Sequence, residues 1–443
     1  MKAPESILSP VKRFRGGTEL EHNKNTENFE TVSMPVSESV CIPLLQHIGA
    51  PCEPIVKKGD KVFVGTKIAQ SEKAVSAPIH SSCSGEVSDI KDIDINGRAV
   101  KCIIIKSDGE MTHDPNLKPF RVKSAEDLEK AAFESGLVGL GGAGFPTYIK
   151  FKAETAAKID TLIVNAAECE PYITSDYRES LENFNDIIEG VYLIKEILHL
   201  QKVIICVESN KPKAIDKLML VAADHRDADD TVKLMRLPDK YPQGAEKLIV
   251  YSATGRKIPL GKLPSDVGCI VSNITTIGTL YRFITTGMPL VSKRITVDGT
   301  AIKEPKNLQV PIGTSVKDIE KFISEEEIDA DKIIFGGPMM GVSVADENAV
   351  IEKRTNAVLF MKPKTAKSTT SCIHCGRCAK VCPMKLYPAS VEAALNAGLH
   401  DRLDNLNTAY CIECGCCSYV CPASRPLTQA MRTAKAELRR NKK

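Results

Sequence analysis

The sequence predicts a multidomain protein of mixed α+β and α/β class, and three observations support this. The chain has 443 residues, which at about 150 residues per domain suggests roughly three domains. Short strands with Gly and Pro turns, then alternating strands and helices, then two cysteine runs follow one another along the chain. Hydrophobic residues make up 43% and charged residues 26%, a globular composition that excludes disorder as the dominant state.

Charge and hydropathy exclude several other classes. Lys and Arg (59) nearly balance Asp and Glu (56), so the basic excess typical of nucleic-acid binding is missing. No apolar run approaches 18 residues, and the N-terminus lacks the apolar core of a signal peptide. We therefore expect a chain without a membrane span, in the cytosol or on the cytosolic face of a membrane.

The N-terminal part predicts two segments. Residues 1–35 are polar and predict an irregular arm or a partly disordered terminus. Residues 36–106 alternate apolar and polar positions around Gly59 and Gly65, which predicts short strands with tight turns. This segment resembles the barrel-sandwich of biotinyl and lipoyl carriers but has no modifiable Lys at a hairpin tip. We expect a structural module without a swinging cofactor.

Residues 107–290 alternate helix and strand patterns, which predicts an α/β layer with a largely parallel sheet. The predicted elements are a helix at Ala125–Ser135, a strand at Thr161–Asn165, a helix at Leu181–Leu198, a strand at Val203–Val207 and a helix at Pro212–Ala223.

The C-terminal part predicts two further modules. Residues 291–358 suggest a β-hairpin, a helix and a return strand, as in a β-grasp module. Residues 359–443, which open with a polar linker at 361–370, form an α-helical ferredoxin-type domain. Its helices are expected at Pro388–Asn396 and Leu399–Asn405. The last stretch, MRTAKAELRRNKK, is a solvated helix end or a segment that docks on an acidic partner or membrane surface.

Sixteen cysteines are too few for a disulfide scaffold in a chain of this length. Half of them form two runs near the C-terminus. The other eight are expected as small buried hydrophobic residues, and they are Cys41, Cys52, Cys83, Cys102, Cys169, Cys206, Cys269 and Cys416.

Both cysteine runs have the spacing C-x2-C-x2-C-x3-C-P of bacterial ferredoxins. Three thiolates of each run wrap one [4Fe-4S] cluster, and the fourth ligates the other cluster. One cluster is therefore assigned to Cys372, Cys375, Cys378 and Cys421. The second is assigned to Cys411, Cys414, Cys417 and Cys382, with Cys416 as a bystander. Two structural zinc sites built from C-x2-C pairs are the alternative, but a zinc site needs neither the additional C-x2-C spacing of each run nor the Pro that follows its last cysteine.

A glycine-rich segment follows the first predicted helix of the α/β layer. Gly139, Gly141 and Gly144 satisfy G-x-G-x-x-G, but a helix precedes them where a dinucleotide-binding unit has a strand. Glycines allow backbone N–H groups to approach a phosphate. A helix opening at Pro146, with Lys150 one turn later, would favour the same anion. The segment is thus a phosphate site or a structural hinge.

Polar residues follow the predicted strand Thr161–Asn165. Asn165, Glu168 and Glu170 leave the carboxyl edge of a parallel strand, where ligands bind in α/β sheets. Amide and carboxylate groups suit ribityl or ribose hydroxyls. The alternative is a polar turn with solvated carboxylates.

The stretches GLGGAGFPTYIK, VNAAECEP, YPQGAEK (Tyr241–Lys247) and SNITTI (Ser272–Ile277) together resemble the flavin subunit of respiratory complex I. With the barrel-sandwich and the double cysteine run, the chain most resembles the C subunits of Rnf complexes, membrane-bound ferredoxin:NAD oxidoreductases that move Na⁺ or H⁺. The resemblance implies a non-covalent FMN, an NAD(H) site and a β-grasp module of the soluble-ligand-binding type. That module includes GGPMMG (Gly336–Gly341), which we interpret as a tight turn.

The resemblance also implies roles for individual residues. FMN would contact Gly139, Gly141, Gly142, Gly144, Lys150, Asn165, Asn273 and Thr276, with Glu246 as a nearby carboxylate. NAD(H) would meet the catalytic carboxylates Glu168 and Glu170, then Tyr241, and Phe145 would stack on the adenine. The chain departs from the complex I pattern at Ala153, Ala167 and Ala245.

The implied function is hydride exchange with NAD(H) at FMN and single-electron transfer through two [4Fe-4S] clusters. Partners would be integral membrane and ferredoxin-like subunits of one complex, and ferredoxin indirectly, with no nucleic acid. The chain would sit peripherally on the cytoplasmic face of the membrane. Two alternatives stay open: a flavin and iron–sulfur cobalamin reductase, and a cluster relay with a degenerate nucleotide site.

Overall fold

The computed structural model describes residues 7–95, 97–222, 230–345, 349–362 and 368–440. The start of the predicted arm, half of the predicted linker (363–367) and the last three residues of the basic C-terminal stretch lie outside these ranges. Within them, none of the helices has both the length and the apolar character needed to cross a membrane.

The N-terminal arm is mostly irregular and carries two short strands, β1 (Ile7–Leu8) and β2 (Thr31–Ser33). Each adds to the edge of a sheet that belongs to a later module. Between them Thr18 forms an antiparallel bridge with Tyr241. The arm therefore crosses several modules.

The next module is built from two small antiparallel sheets around an apolar core. The sheets have the orders β3-β9-β8-β5 and β4-β6-β7. Ile42, Ile68, Ile79 and Ile103 are among its fully buried residues. The strands are β3 (Ser39–Pro43), β4 (Glu53–Pro54), β5 (Lys61–Val62), β6 (Lys67–Gln70), β7 (Ile79–His80), β8 (Gly85–Ile95) and β9 (Arg98–Ser107).

The central module contains a five-stranded sheet in the order β1-β12-β11-β10-β13, in which every neighbouring pair is parallel, as the alternating pattern predicts. Its strands are β10 (Thr161–Ala166), β11 (Lys202–Glu208), β12 (Val232–Leu237) and β13 (Cys269–Asn273). Its helices are α1 (Ala125–Glu134), α2 (Ala153–Ala156), α3 (Ser175–Glu182), α4 (Phe184–Ile197), α5 (Pro212–Ala222), α6 (Glu246–Thr254) and α7 (Ile274–Thr286).

The single helix predicted at Leu181–Leu198 is wrong: the structure has α3 and α4, separated at Asn183. Asn183 leaves helical geometry with φ −119° and ψ 34°. Its amide Nδ2 donates to Glu179 Oε2 at 2.8 Å. Asn183 N donates to Glu179 O at 2.9 Å, which closes the last turn of α3, and Asn183 O accepts from Ile187 N at 3.3 Å, which opens α4.

The third module is a six-stranded mixed sheet in the order β17-β16-β18-β14-β15-β2. Strands β14 and β15 form an antiparallel hairpin, and β18 lies parallel to β14. The elements are β14 (Ser292–Asp298), β15 (Lys306–Pro311), α8 (Val316–Ile323), β16 (Lys332–Phe335), β17 (Val342–Val344) and β18 (Ala357–Met361).

The C-terminal module is helical. Its core is formed by Val391, Leu403, Met431, Ala434 and Leu438. The helices are α9 (Arg377–Val381), α10 (Pro388–Asn396), α11 (His400–Asn405), α12 (Cys416–Tyr419) and α13 (Leu427–Arg440). Three short 3-10 helices complete the described chain, at Thr147–Phe151, Pro264–Val267 and Thr408–Tyr410.

Candidate functional site

A cavity of about 170 Å³ lies in the C-terminal module and is bordered by Cys372, Cys375, Cys378 and Cys421. Three of these cysteines come from the first run and one from the second. A single water needs only about 10–15 Å³ by the same measure, so the cavity has room for a group of several atoms. These are the four cysteines that the ferredoxin spacing assigns to one cluster.

A second, smaller cavity of about 20 Å³ is bordered by Cys382, Cys411, Cys414 and Cys417. This is the complementary set of four. Cys416, interpreted as a bystander, also lines it and is fully buried.

The thiols border the two cavities instead of converging on a point. In the described ranges, no three His, Cys, Asp or Glu side chains lie close enough together to hold one metal ion. Around the first cavity, four soft sulfur donors enclose a volume of several atoms and fit an iron–sulfur cluster. The second cavity, at about 20 Å³, has room for about one water by the same measure, although its four sulfur donors have the same chemistry. The ligation of individual cysteines stays a prediction.

The glycine-rich segment forms a compact loop between α1 and the 3-10 helix Thr147–Phe151. Gly139 N donates to Phe145 O at 2.8 Å, and Gly144 N donates to Gly139 O at 3.2 Å. Gly141 and Gly142 are exposed at the tip. Phe145 is half-buried at the foot of the loop. The backbone of the tip is therefore accessible to a ligand.

Asn273 and Thr276 lie directly beneath this glycine loop. Leu140 N donates to Thr276 Oγ1 at 3.0 Å. Asn273 caps α7, because its side chain accepts from Thr276 N, and its Nδ2 donates to Asp176 Oδ2 at 2.6 Å. A Cβ at Gly141 would lie 3.0 Å from Asn273 Nδ2, so a side chain there would compete for the same space.

Lys150 is hydrogen-bonded to the central sheet. The helix expected at Pro146 is a five-residue 3-10 helix, too short for an N-terminal anion site of its own. Lys150 Nζ donates to Val271 O at 2.7 Å, on the edge strand β13. Burial lowers the pKa of Lys150, and the exposed Glu246 at the start of α6 counteracts this. The cation is thus attached to the sheet.

Asn165 is the penultimate residue of β10 and joins this strand to the segment before α6. Its Nδ2 donates to Gly244 O at 2.9 Å, and its Oδ1 accepts from Ala167 N at 3.1 Å. A Cβ at Gly244 would lie 2.9 Å from Ala167 O, so this approach requires a glycine. The stretches VNAAECEP and YPQGAEK therefore meet at the carboxyl edge of the sheet.

Glu168 is buried and caps α3. Its Oε1 accepts from Asp176 N at 2.8 Å, and its Oε2 accepts from Tyr177 N at 3.3 Å. Burial raises the pKa of Glu168, and the ammonium of Lys24 counteracts this. The predicted catalytic carboxylate thus also satisfies orphan donors of a helix.

Glu170 holds the GGPMMG turn. Its two oxygens accept from Met339 N at 3.0 Å and from Met340 N at 2.9 Å. A Cβ at Gly337 would lie 2.2 Å from Glu170 Oε2, so the turn needs glycine at this position. Burial raises the pKa of Glu170. The turn predicted between two strands lies between β16 and β17 and also binds a predicted catalytic residue.

Tyr241 connects this region to the second cysteine cavity. It is buried, and its hydroxyl donates to Cys414 O at 2.8 Å. The hydroxyl also lies 3.4 Å from Glu170 Oε1. The structure therefore brings Glu170, Tyr241 and the second cysteine run together.

Several polar residues of this region carry no sequence motif. Asp176 positions Asn273, and Glu208 Oε2 accepts from Glu168 N at 3.1 Å. Lys24 Nζ donates to the carbonyls of the loop that carries Glu168. Lys353 is fully buried below the glycine loop, donates to Gly136 O at 2.7 Å, and its pKa is lowered to about 7 by burial. No local pattern distinguishes these residues from other charged positions.

Three family descriptions match separate parts of the chain. Residues 12–110 match the "RnfC Barrel sandwich hybrid domain", residues 132–282 the "Nuo51 FMN-binding domain" and residues 362–424 the "4Fe-4S dicluster domain". These matches confirm the predicted barrel-sandwich, FMN-binding and iron–sulfur parts of the fold. They also confirm FMN and [4Fe-4S] as cofactors.

Curated relatives cover most of the chain. It is 40% identical over 387 residues to the C subunit of the proton-translocating ferredoxin:NAD(+) oxidoreductase complex of Clostridium ljungdahlii, covering 86% of this chain and 83% of that protein. It is 37% identical to the C subunit of the Na(+)-translocating ferredoxin:NAD(+) oxidoreductase complex of Acetobacterium woodii, covering 96% and 97%. It is 36% identical to the C subunit of the ion-translocating oxidoreductase complex of Rhodobacter capsulatus, covering 98% and 85%.

Solved structures of an NAD+-reducing [NiFe]-hydrogenase are more distant. The air-oxidized state aligns with a TM-score of 0.45 at 17% identity and covers 64% of this chain and 54% of that one. The H2-reduced state aligns with a TM-score of 0.47, also at 17% identity, and covers 71% and 62%.

Proposed function

The chain belongs to the family of the C subunits of ion-translocating ferredoxin:NAD(+) oxidoreductase complexes, and on this premise we propose that it is their peripheral NAD(H)-reactive electron-transfer subunit. It exchanges hydride with NAD(H) at FMN and single electrons through two [4Fe-4S] clusters. It thereby couples ferredoxin and NAD redox chemistry to ion transport. The observation that carries the proposal is the link from Glu170 through Tyr241 to Cys414, which joins the proposed nucleotide side to the second cysteine cavity.

Bound FMN supplies the conversion between a two-electron hydride step and one-electron steps. The residues of the protein bind FMN and the nucleotide and orient them. The exposed tip Gly141–Gly142 offers backbone N–H groups to the FMN phosphate, and Asn273 and Thr276 support it from below. Glu168 and Glu170 lie in the loop that follows the carboxyl end of β10, where ligands of α/β sheets bind.

We further propose domain boundaries at 36–106, 107–290, 291–358 and 359–443, preceded by the arm 1–35. The third of these domains is a β-grasp module, supported by its hairpin, its helix and the parallel pairing of β18 with β14. The last is a two-cluster ferredoxin domain, supported by the five helices and two cysteine cavities described there.

The first cysteine cavity is proposed as the exchange point with a ferredoxin-like subunit. Cys375 is exposed, whereas Cys414 and Cys417 of the other set are buried. Ile373 and Tyr387 beside the first cavity are 65% and 62% exposed, an apolar surface suited to a partner. Docking there, on the cytoplasmic face of the membrane and with integral membrane subunits, would make the chain a peripheral subunit.

The proposed function is tested by anaerobic purification, flavin and iron analysis, and spectra before and after NADH. About one FMN, roughly eight Fe and bleaching by NADH are expected. Iron without flavin, and no response to NADH, would leave a cluster relay and overturn the proposal. If NADH bleaches the protein but the reduced protein passes its electrons only to a corrinoid, the result would instead favour the cobalamin reductase.

Two alanine substitutions separate a phosphate site from a structural hinge. A Cβ at Gly139 would lie 3.7 Å or more from its neighbours, so Gly139→Ala fits the protein, whereas Gly141→Ala crowds Asn273. If FMN rests on the loop, both variants lose FMN affinity, by about tenfold or more. FMN occupancy after dialysis measures this. If both variants retained FMN fully, the glycine loop would be a structural hinge and not a phosphate site.

A further inference from the structure

The N-terminal arm crosses the proposed active region. Thr18 and Tyr241 exchange two backbone hydrogen bonds, of 2.9 and 3.0 Å. Tyr172 N donates to His22 O at 2.9 Å. Gly17 N donates to Val381 O at 2.7 Å, in the first cysteine run. The arm thus contacts the YPQGAEK segment, the loop after β10 and the helical module in succession.

Lys24 of this arm is inserted into the acidic loop, defined here as Glu168–Ile173. Its Nζ donates to Glu168 O at 2.8 Å, to Glu170 O at 2.8 Å and to Ile173 O at 2.5 Å. An ammonium group has three N–H donors and no acceptor, so these three carbonyls use its full capacity. The ammonium group of Lys24 therefore binds the backbone carbonyls of both predicted catalytic residues, Glu168 and Glu170, and that of Ile173 at the end of the loop.

The neighbours of Lys24 fix its position. Asn25 Nδ2 donates to Asp298 Oδ1 at 3.1 Å, and the hydroxyls of Thr26 and Thr174 are 2.5 Å apart. Thr26 is fully buried. The arm is thus anchored to the third module and to the start of α3, directly beside the ammonium group.

The charge of Lys24 is also needed at this place. Glu168 and Glu208 are buried, and Glu170 is half-buried. Lys24 acts electrostatically on all three carboxylates, and Lys211 acts on Glu168 and Glu208. Without the ammonium group, the three carboxylates would lose a cation that acts on all of them in a poorly hydrated region, although Lys293 also acts on Glu168.

We propose that Lys24 is a positioning residue whose three hydrogen bonds hold the acidic loop, and with it Glu168 and Glu170, in the geometry that receives the nicotinamide. This rests on the proposed function, in which those carboxylates line the NAD(H) side. An arginine would not replace it, because a planar guanidinium does not fit three carbonyls that converge on one nitrogen.

The test compares Lys24→Met with Lys213→Met in the full chain with its cofactors. Lys213 Nζ donates to Asn28 Oδ1 at 2.7 Å and ties the same arm to α5 through an exposed hydrogen bond. In Lys24→Met we expect about tenfold faster hydrogen exchange of the acidic-loop amides. We also expect about tenfold slower flavin reduction by NADH at saturation. FMN and iron contents and the dithionite-reduced spectrum should match the wild type. Lys213→Met should change neither rate, and Lys24→Arg should behave like Lys24→Met.

The outcomes are distinguishable. If NADH reduces the wild type and Lys24→Met equals it in both hydrogen exchange and flavin reduction, the inference is wrong. If Lys213→Met slowed flavin reduction as much as Lys24→Met does, Lys24 would only help to anchor the arm. That result would also overturn the inference. If NADH does not reduce the wild type at all, the proposed function fails. In that case, faster hydrogen exchange of the acidic loop in Lys24→Met, but not in Lys213→Met, would still support the conclusion that Lys24 holds this loop.

Discussion

Glu208, at the end of β11, shows how a buried carboxylate organises the acidic loop. Its Oε2 accepts from Glu168 N, whereas its Oε1 has no hydrogen-bond partner among the described residues. Burial raises the pKa of Glu208 to about 7, although Lys24 and Lys211 counteract this. The residue therefore loses its proton near neutral pH, at a cost to the folded state.

Glu208→Gln should remove a pH dependence of stability. The folded pKa of about 7 exceeds the unfolded value of 4.5, so the folded state binds more protons between these values. Wild-type stability should fall relative to Glu208→Gln as pH rises from about 4.5 to about 7, by about 1–3 kcal/mol, and the difference should then stay constant. Thermal unfolding midpoints of both proteins across this range measure it. A difference that does not vary with pH would contradict the assignment.

At the scale of elements, two short helices organise the cysteine runs. Helix α9 follows Gly376 and α12 follows Gly415, both with positive φ, of 71° and 81°. The fourth cysteine of each run comes after its helix, at Cys382 and Cys421, and borders the cavity of the other run. The sequence spacing is therefore matched by a crossed arrangement in space.

Serine substitutions test this crossing. Cys382→Ser should disturb the cluster of the second run, and Cys421→Ser the cluster of the first, because serine is a poor ligand for an iron–sulfur cluster. Each should lower the iron content by up to about four Fe per chain. Electron paramagnetic resonance of the reduced protein identifies the cluster affected. If Cys382→Ser altered the same resonance as Cys372→Ser, the crossed assignment would be wrong.

At the scale of the whole molecule, the arm joins modules that are far apart in sequence. Strand β1 extends the central sheet, and β2 extends the sheet of the third module. Between them, Gly17 packs against the backbone of Tyr241: a Cβ at Gly17 would lie 2.5 Å from Tyr241 O. With φ of 76°, this position needs glycine for both conformation and space.

Gly17→Ala should therefore loosen the arm from the central and helical modules. We expect faster hydrogen exchange in the arm, around Tyr241 and in α9, with a loss of stability of about 1 kcal/mol or more. Gly97→Ala is the matched control, because Gly97 has a similar φ of 74° but no neighbour within 4 Å of a Cβ. If the two variants gave the same exchange pattern in these regions, the contact with Tyr241 would have no role in joining the modules.

The sequence alone predicted the features that are coded locally. The ferredoxin-type spacing of each run predicted that its first three thiols border one cavity and that its fourth thiol borders the cavity of the other run. The alternation of strands and helices predicted the parallel sheet, and the strand before Asn165 placed VNAAECEP at its carboxyl edge. The FMN-binding domain was predicted from the resemblance of the stretches at this edge and in the glycine loop to the flavin subunit of respiratory complex I, and the family match over residues 132–282 confirms it.

Only the tertiary structure decided which partners these residues have. Lys24 reaches Glu168 O across 144 positions, and Met339 N reaches Glu170 across 169. Lys150, which was predicted to lie beside the anion, donates to a strand carbonyl, and Glu168 caps a helix. The physical reason is that periodicity and spacing report on the surroundings of a few residues, whereas the packing of modules and the path of the arm set contacts between distant segments.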